Sequence, residues 1–134
     1  MLNSYKIFIY AALAMLIGVQ AVSGQAIDVA EKAVLQAAMQ QHIDRNLVNG
    51  AYLNLDLDAG IVQSLRPAKA HTMILKMGDH VVLYSDFRDS QGNLVNIDFY
   101  LVRRDRSYVV FHSAVDDRNK LRHLMKIGKV RQLE

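Results

Sequence analysis

At Asn49-Gly50 the apolar period of this chain changes from that of a helix to that of a strand, and the change divides the fold. Before it, Ala30, Ala33, Val34, Ala37, Ala38, Gln41 and Ile43 approximate a helical repeat, with Asp28, Glu31 and Lys32 near the start. Acidic residues there suit the positive end of a helix, and alanine is the best helix former. The spacing predicts one amphipathic helix over 27–48, stopped by the glycine. After it, Leu53, Leu55 and Leu57 alternate with Tyr52, Asn54, Asp56 and Asp58, the pattern of a half-buried strand.

Turn residues then mark out a meander. Asp58-Ala59-Gly60 reads as a tight turn into a short strand from Ile61 to Leu65, and Pro67 is expected to end that hairpin because it cannot donate to a ladder. Further strands are expected over 70–77, 80–88, 94–103 and 107–115, joined at Gly78-Asp79, around Gly92 and at 103–107. Asp116 or Asp117 can cap a short helix that runs through Lys126, with Leu121, Leu124 and Met125 on its apolar side and Gly128 ending it. The fold class is α+β: one long helix packed on a curved antiparallel meander, with a short C-terminal helix. This order of elements looks like the cystatin-like and NTF2-like architectures, although no residue motif ties the chain to either family. The expected division is an N-terminal signal or anchor over 1–26, one domain over 27–128 and a basic tail over 129–134.

The turn lengths give a register. Pairing Met77 with His80 sets His71 opposite Asp86, and pairing Phe87 with Val95 sets Leu83 opposite Phe99. Pairing Leu101 with Val109 sets Asp98 beside His112. One face of the sheet is then nearly pure hydrocarbon: Ile74, Val81, Leu83, Phe87, Val95, Ile97, Phe99, Leu101, Val109, Phe111 and Val115. The other mixes Met73, Leu75, Val82, Val102 and Val110 with His71, Tyr84, Asp86, Asn96, Asp98, Tyr100, Tyr108 and His112. Those last eight are the candidate ligand or partner residues, since aromatic and convergent polar groups on one surface suit recognition. The same mixture also fits the solvent face of an ordinary antiparallel sheet.

The first residues read as an address. Lys6 precedes an uncharged apolar block, Ile7 to Val19, and small and polar residues follow to Ala26, as in a secretory signal. The rival is an uncleaved inner-membrane anchor over 7–27. A periplasmic or secreted protein is therefore expected, and the absence of cysteine favours a bacterial envelope over disulfide-stapled animal secretion. A net charge of +3 is too balanced for nucleic-acid binding. The basic excess lies between Arg118 and Arg131, where contact with an anionic membrane surface or an acidic partner is the sharper reading and a solvated helix face the plainer one.

Chemical motifs are sparse. The five histidines have no paired ligand spacing, so no metal is expected, and there is no phosphate loop and no cofactor signature. Asp98 could orient His112 as a base, with Tyr84 nearby, but Ser85 and Ser113 are expected on the core face and supply no nucleophile. No catalytic residue is assigned. The reading is a non-enzymatic exported binding module for an envelope protein or a small ligand. The alternatives are a small acid–base enzyme using His112, Asp98 and Tyr84, and a membrane-anchored structural subunit of an envelope assembly. The sequence does not set the oligomeric state.

Overall fold

The computed structural model describes residues 26–134. The signal or anchor expected over 1–26 lies, but for Ala26, outside the described residues. Among the described residues no helix is long and apolar enough to cross a membrane.

Helix α1 spans Val29–Arg45, and the Asp28 carboxylate accepts from the Ala30 N–H at its start. Its buried residues are Leu35, Met39 and Ile43, spaced by four. The alanine stripe that the repeat suggested is not the anchor: Val34 is exposed, because turning the larger side chains inward removes more apolar area from water. The strands are β1 (Leu47–Val48), β2 (Ala51–Asp56), β3 (Ile61–Ala70), β4 (Ile74–Met77), β5 (His80–Arg88), β6 (Leu94–Arg104), β7 (Ser107–Val115) and β8 (Arg131–Leu133). Helix α2 spans Arg118–Lys126 between β7 and β8. The architecture is α+β, with one long helix on an antiparallel sheet and a short helix after it.

Strand β5 organises the sheet. One edge pairs along its length with β6 and then, through β6, with β7. The other edge is shared: β3 takes residues 85–88 and β4 takes residues 80–82. The single strand expected over 70–77 is therefore two strands, broken at His71–Met73. Pro67 does not end the preceding hairpin. It lies within β3 opposite Phe87, and the ladder absorbs it by shifting register between Pro67 and Lys69. The supposed tail is structural as well, since Arg131–Leu133 pairs with β4.

The expected β5–β6 register is observed: Leu83 faces Phe99 and Phe87 faces Val95. The β6–β7 register differs for two reasons. The turn is the two residues Asp105-Arg106, with Asp105 at φ 55°, and the ladder shifts again between Tyr100 and Leu101. Leu101 therefore faces Val110, Tyr100 faces His112 and Phe99 faces Ser113, which leaves Phe111 as the extra residue. Tyr108 and Val110 consequently pack against the α1-side core. Phe111 does not: it is exposed beside His80 and Tyr100.

The main core joins Leu35, Met39 and Ile43 to Ile74, Leu83, Phe87, Ile97, Phe99 and Leu101. A second, smaller cluster lies on the opposite face, where Leu121 and Val130 pack against Leu75 and Val82. The outer face is therefore partly covered by α2 rather than left open. In the β2–β3 hairpin Tyr52 and Leu65 are the buried pair, while Leu53, Leu55 and Leu57 point to solvent, the reverse of what a half-buried leucine face implies.

Candidate functional site

Four of the eight candidate residues, His71, Tyr84, Asp86 and Asn96, line one cleft of about 410 Å³. The other walls are Asp116, Arg118, Asn119 and Arg122, which the chain supplies where it leaves β7 and enters α2. The break between β3 and β4 sets the histidine: the His71 N–H donates to the Tyr84 carbonyl, and its Nε2 lies 2.6 Å from Asp86 Oδ2. The Asn96 amide donates to Asp86 Oδ1 across the β5–β6 pair at 3.1 Å. Arg118 Nε donates to Asn96 Oδ1 at 3.0 Å, and Arg118 Nη2 donates to Asp98 Oδ1 at 2.9 Å.

Tyr84 is the floor. The His71 ring stacks on it at 4.3 Å between centroids, and the Arg118 guanidinium lies 3.7 Å from its centroid. Two groups that close cannot share one ring face, so the phenol is held between imidazole and guanidinium. The result is a continuous polar chain, His71–Asp86–Asn96–Arg118–Asp98, which clamps the first turn of α2 to the sheet.

The two carboxylates are tuned in opposite directions. Burial pushes Asp86 up, but hydrogen bonds from His71 and Asn96 and the nearby charges of His71 and Arg118 outweigh it, leaving the carboxyl below its usual range. Asp98 is 1 % exposed, and burial pushes it above that range despite the opposing pull of Arg118. Asp86 thus stays ionised and orients the imidazole, while Asp98 is the counter-ion that holds the arginine. At the rim, the side chains of Asp116, Asn119 and Arg122 line the cleft and take part in none of these bonds. The Asp117 side chain makes no capping bond at the N-terminus of α2.

The remaining candidates are elsewhere. Asp98 lies beneath the cleft and contacts it through Arg118. Tyr100 and His112 pair with each other further along the outer face, their rings 5.5 Å apart. Tyr108 is on the α1 side of the sheet, where its hydroxyl donates to Glu31 at 2.6 Å. The acid–base set of His112, Asp98 and Tyr84 is not assembled, because the register shift moves His112 opposite Tyr100 and gives Asp98 to Arg118.

Sequence reasoning missed Arg118 and Arg122, which were read only as part of a basic C-terminal excess, and Asn119, which it did not single out. The carboxylates of Asp86 and Asp98 called for a cation, but no spacing in the sequence points to Arg118 as that cation. A second polar set was also missed. His42 Nε2 lies 3.1 Å from the Tyr52 hydroxyl, and that hydroxyl lies 3.5 Å from Ser113 Oγ. Burial lowers the His42 pKa. Among the described residues no group of three or more side chains could hold a metal ion. No family model, curated protein or solved structure matches this chain.

Proposed function

We propose that the protein is a non-enzymatic exported binding module, and that the cleft between β5, β6 and the first turn of α2 takes a small ligand bearing an anionic group. The observation that carries this reading is the convergence of His71, Tyr84, Asp86 and Asn96 with a rim whose donors are not used up internally. Arg118 is already neutralised by Asp98, so the attraction comes from Arg122, from the Asn119 amide and from the first N–H groups of α2, which no side chain caps. Asp116 on the same rim would accept from a donor on the ligand. A cystatin-like or NTF2-like architecture belongs to the same reading, as does a periplasmic or secreted location. N-terminal sequencing of the exported protein separates a cleaved signal from an anchor retained over 7–27.

The test is an NMR titration of the protein with acetate and with inorganic phosphate. Saturable shifts at Asn119, at the Arg118 and Arg122 Nε–H groups and at the Tyr84 ring are expected, and Arg122→Gln should weaken them without altering the rest of the spectrum. Shifts that never saturate, or that persist unchanged in Arg122→Gln, would remove the cleft as the recognition site.

A further inference from the structure

The β2–β3 hairpin carries the largest run of unsheltered apolar residues in the described chain. Leu53 is 44 % exposed, Leu55 61 %, Leu57 80 %, Ile61 51 % and Val62 60 %. Leu55 and Val62 face each other across the hairpin. Five large apolar side chains within ten consecutive positions differ from the scattered apolar residues that any surface carries.

The backbone beside them is also unpaired. Strand β1 contributes only Leu47 opposite Tyr52 and Val48 opposite Ala51. Beyond Tyr52, no strand among the described residues pairs with the outer edge of β2. Asn49 and Gly50 both have positive φ, 52° and 76°, as in the two-residue turn that flanks itself with a hydrogen-bonded pair. Val48–Ala51 is that pair. Alternation along the strand then turns the N–H and C=O groups of Leu53 and Leu55 toward the open edge, and those of Tyr52, Asn54 and Asp56 toward β3. Natural edges are usually blunted by charged side chains, proline or a bulge; Leu53–Leu55 has none of these, and Asp56 carries the one charge of β2.

We propose that this edge pairs antiparallel with the same edge of a second copy, about a two-fold axis through Leu55. The choice of occupant follows from self-complementarity. The open edge of β2 runs from Leu53 to Asp56, and with Leu57, the first residue of the turn, drawn into the pairing its centre is Leu55. Pairing about that centre sets Leu55 opposite Leu55 of the second copy, Leu53 opposite Leu57 and Asn54 opposite Asp56. Every apolar residue meets an apolar one on the same face, and the carboxylate meets an amide rather than another carboxylate. Leu53 and Leu55 satisfy their edge groups in the same step, and the two leucine–valine faces become one surface. This does not depend on the polar cleft, which lies beside α2 rather than on this hairpin.

Disulfide trapping on the full-length chain tests the register, because the chain has no cysteine of its own. A hydrogen-bonded antiparallel pair has Cα atoms about 5.5 Å apart, within disulfide reach. Under mild oxidation Leu55→Cys is expected to convert to a band of twice the mass. A mixture of Leu53→Cys and Leu57→Cys chains should link with each other. Val62→Cys, equally exposed on the neighbouring strand, should stay single. Hydrogen exchange on the unsubstituted chain gives a second readout: the Leu53 and Leu55 amides should be protected, and Leu55→Lys should lose that protection. Linking of Leu55→Cys no greater than that of Val62→Cys would overturn the proposal. So would edge amides that exchange freely in the purified chain, or that become protected only when another protein's strand is added.

Discussion

The two faces of the sheet hold their helices by opposite means. Helix α1 is held by three large apolar side chains sunk into the main core, and its polar ties to the sheet are two uncharged-donor contacts, Tyr108 to Glu31 at the surface and His42 with the Tyr52 hydroxyl. Helix α2 is nine residues long and buries only Leu121; its firmest tie is Arg118, bonded to the almost fully buried Asp98. A short helix that cannot bury enough apolar area is thus fixed by a directional charged contact, which also brings arginine and asparagine side chains to a cleft. On the α1 side the polar contacts are weaker, His42 with the Tyr52 hydroxyl and that hydroxyl with Ser113, and include no salt bridge among the described residues.

Breaking the hydrocarbon side should have the largest effect. Phe99 is fully buried and touches both His42 and Tyr52, so Phe99→Ala should cost about 3–5 kcal/mol and Phe99→Asp should prevent folding. Urea denaturation followed by circular dichroism reads both. On the other face, Arg118→Met strands the Asp98 carboxylate and should cost about 3 kcal/mol at neutral pH. Burial already raises the Asp98 pKa above 3.8, so the folded state keeps that proton to higher pH than the unfolded state does. The Asp98 contribution therefore falls as pH rises above 3.8, and removing Arg118 should steepen the fall. Acidification should recover most of the Arg118→Met loss. Equal deficits at acid and neutral pH would mean that the arginine acts by packing alone, and the contrast between the faces would weaken.

How far the residues foretold these faces depends on whether a ladder shift intervenes. The β5–β6 pairing was legible from the turn around Gly92, and through it the meeting of Asp86 with Asn96. In β7 a turn one residue shorter than expected brought Tyr108 onto the core face and took Phe111 off it, and the extra residue at Phe111 then set His112 opposite Tyr100, away from Asp98. A shift of this kind leaves no mark in a pattern of valines and aromatics, because either face can accept them. The leucines of β2 mislead for a different reason. Their alternation identifies a strand, but not which side is covered; Tyr52 takes the inner side by packing against Phe87 and Phe99. Arg118 was invisible as a site residue because sequence distance hides its 22-position reach back to Asn96.

A pH test of the α1 side should give a smaller effect of the opposite sign. Burial holds the His42 imidazole below its ordinary pKa of 6.5, so the unfolded chain takes up that proton first. Stability from this group is present above pH 6.5 and is lost as pH falls toward the folded value. Melting temperatures measured across that window should drop for the native chain and change less for His42→Gln. A native curve that stays flat below pH 6.5 would place the imidazole in water rather than against Tyr52 and Phe99.

The smallest effect should come from the surface polar tie between α1 and β7. Tyr108 donates to Glu31 at the surface, where water competes for both groups, so Tyr108→Phe should lose about 0.5–1 kcal/mol. The bond to Glu31, assisted by burial, raises the phenol above its ordinary pKa of 10. The folded state therefore keeps the phenolic proton to higher pH than the unfolded state does. The stability that this bond gives is present below pH 10 and is lost as pH rises above it. Denaturation at neutral and at alkaline pH should show the native chain converging on Tyr108→Phe as the phenol ionises. A loss for Tyr108→Phe as large as that for Arg118→Met would mean that α1 also depends on a polar anchor, and the two faces would then be held alike.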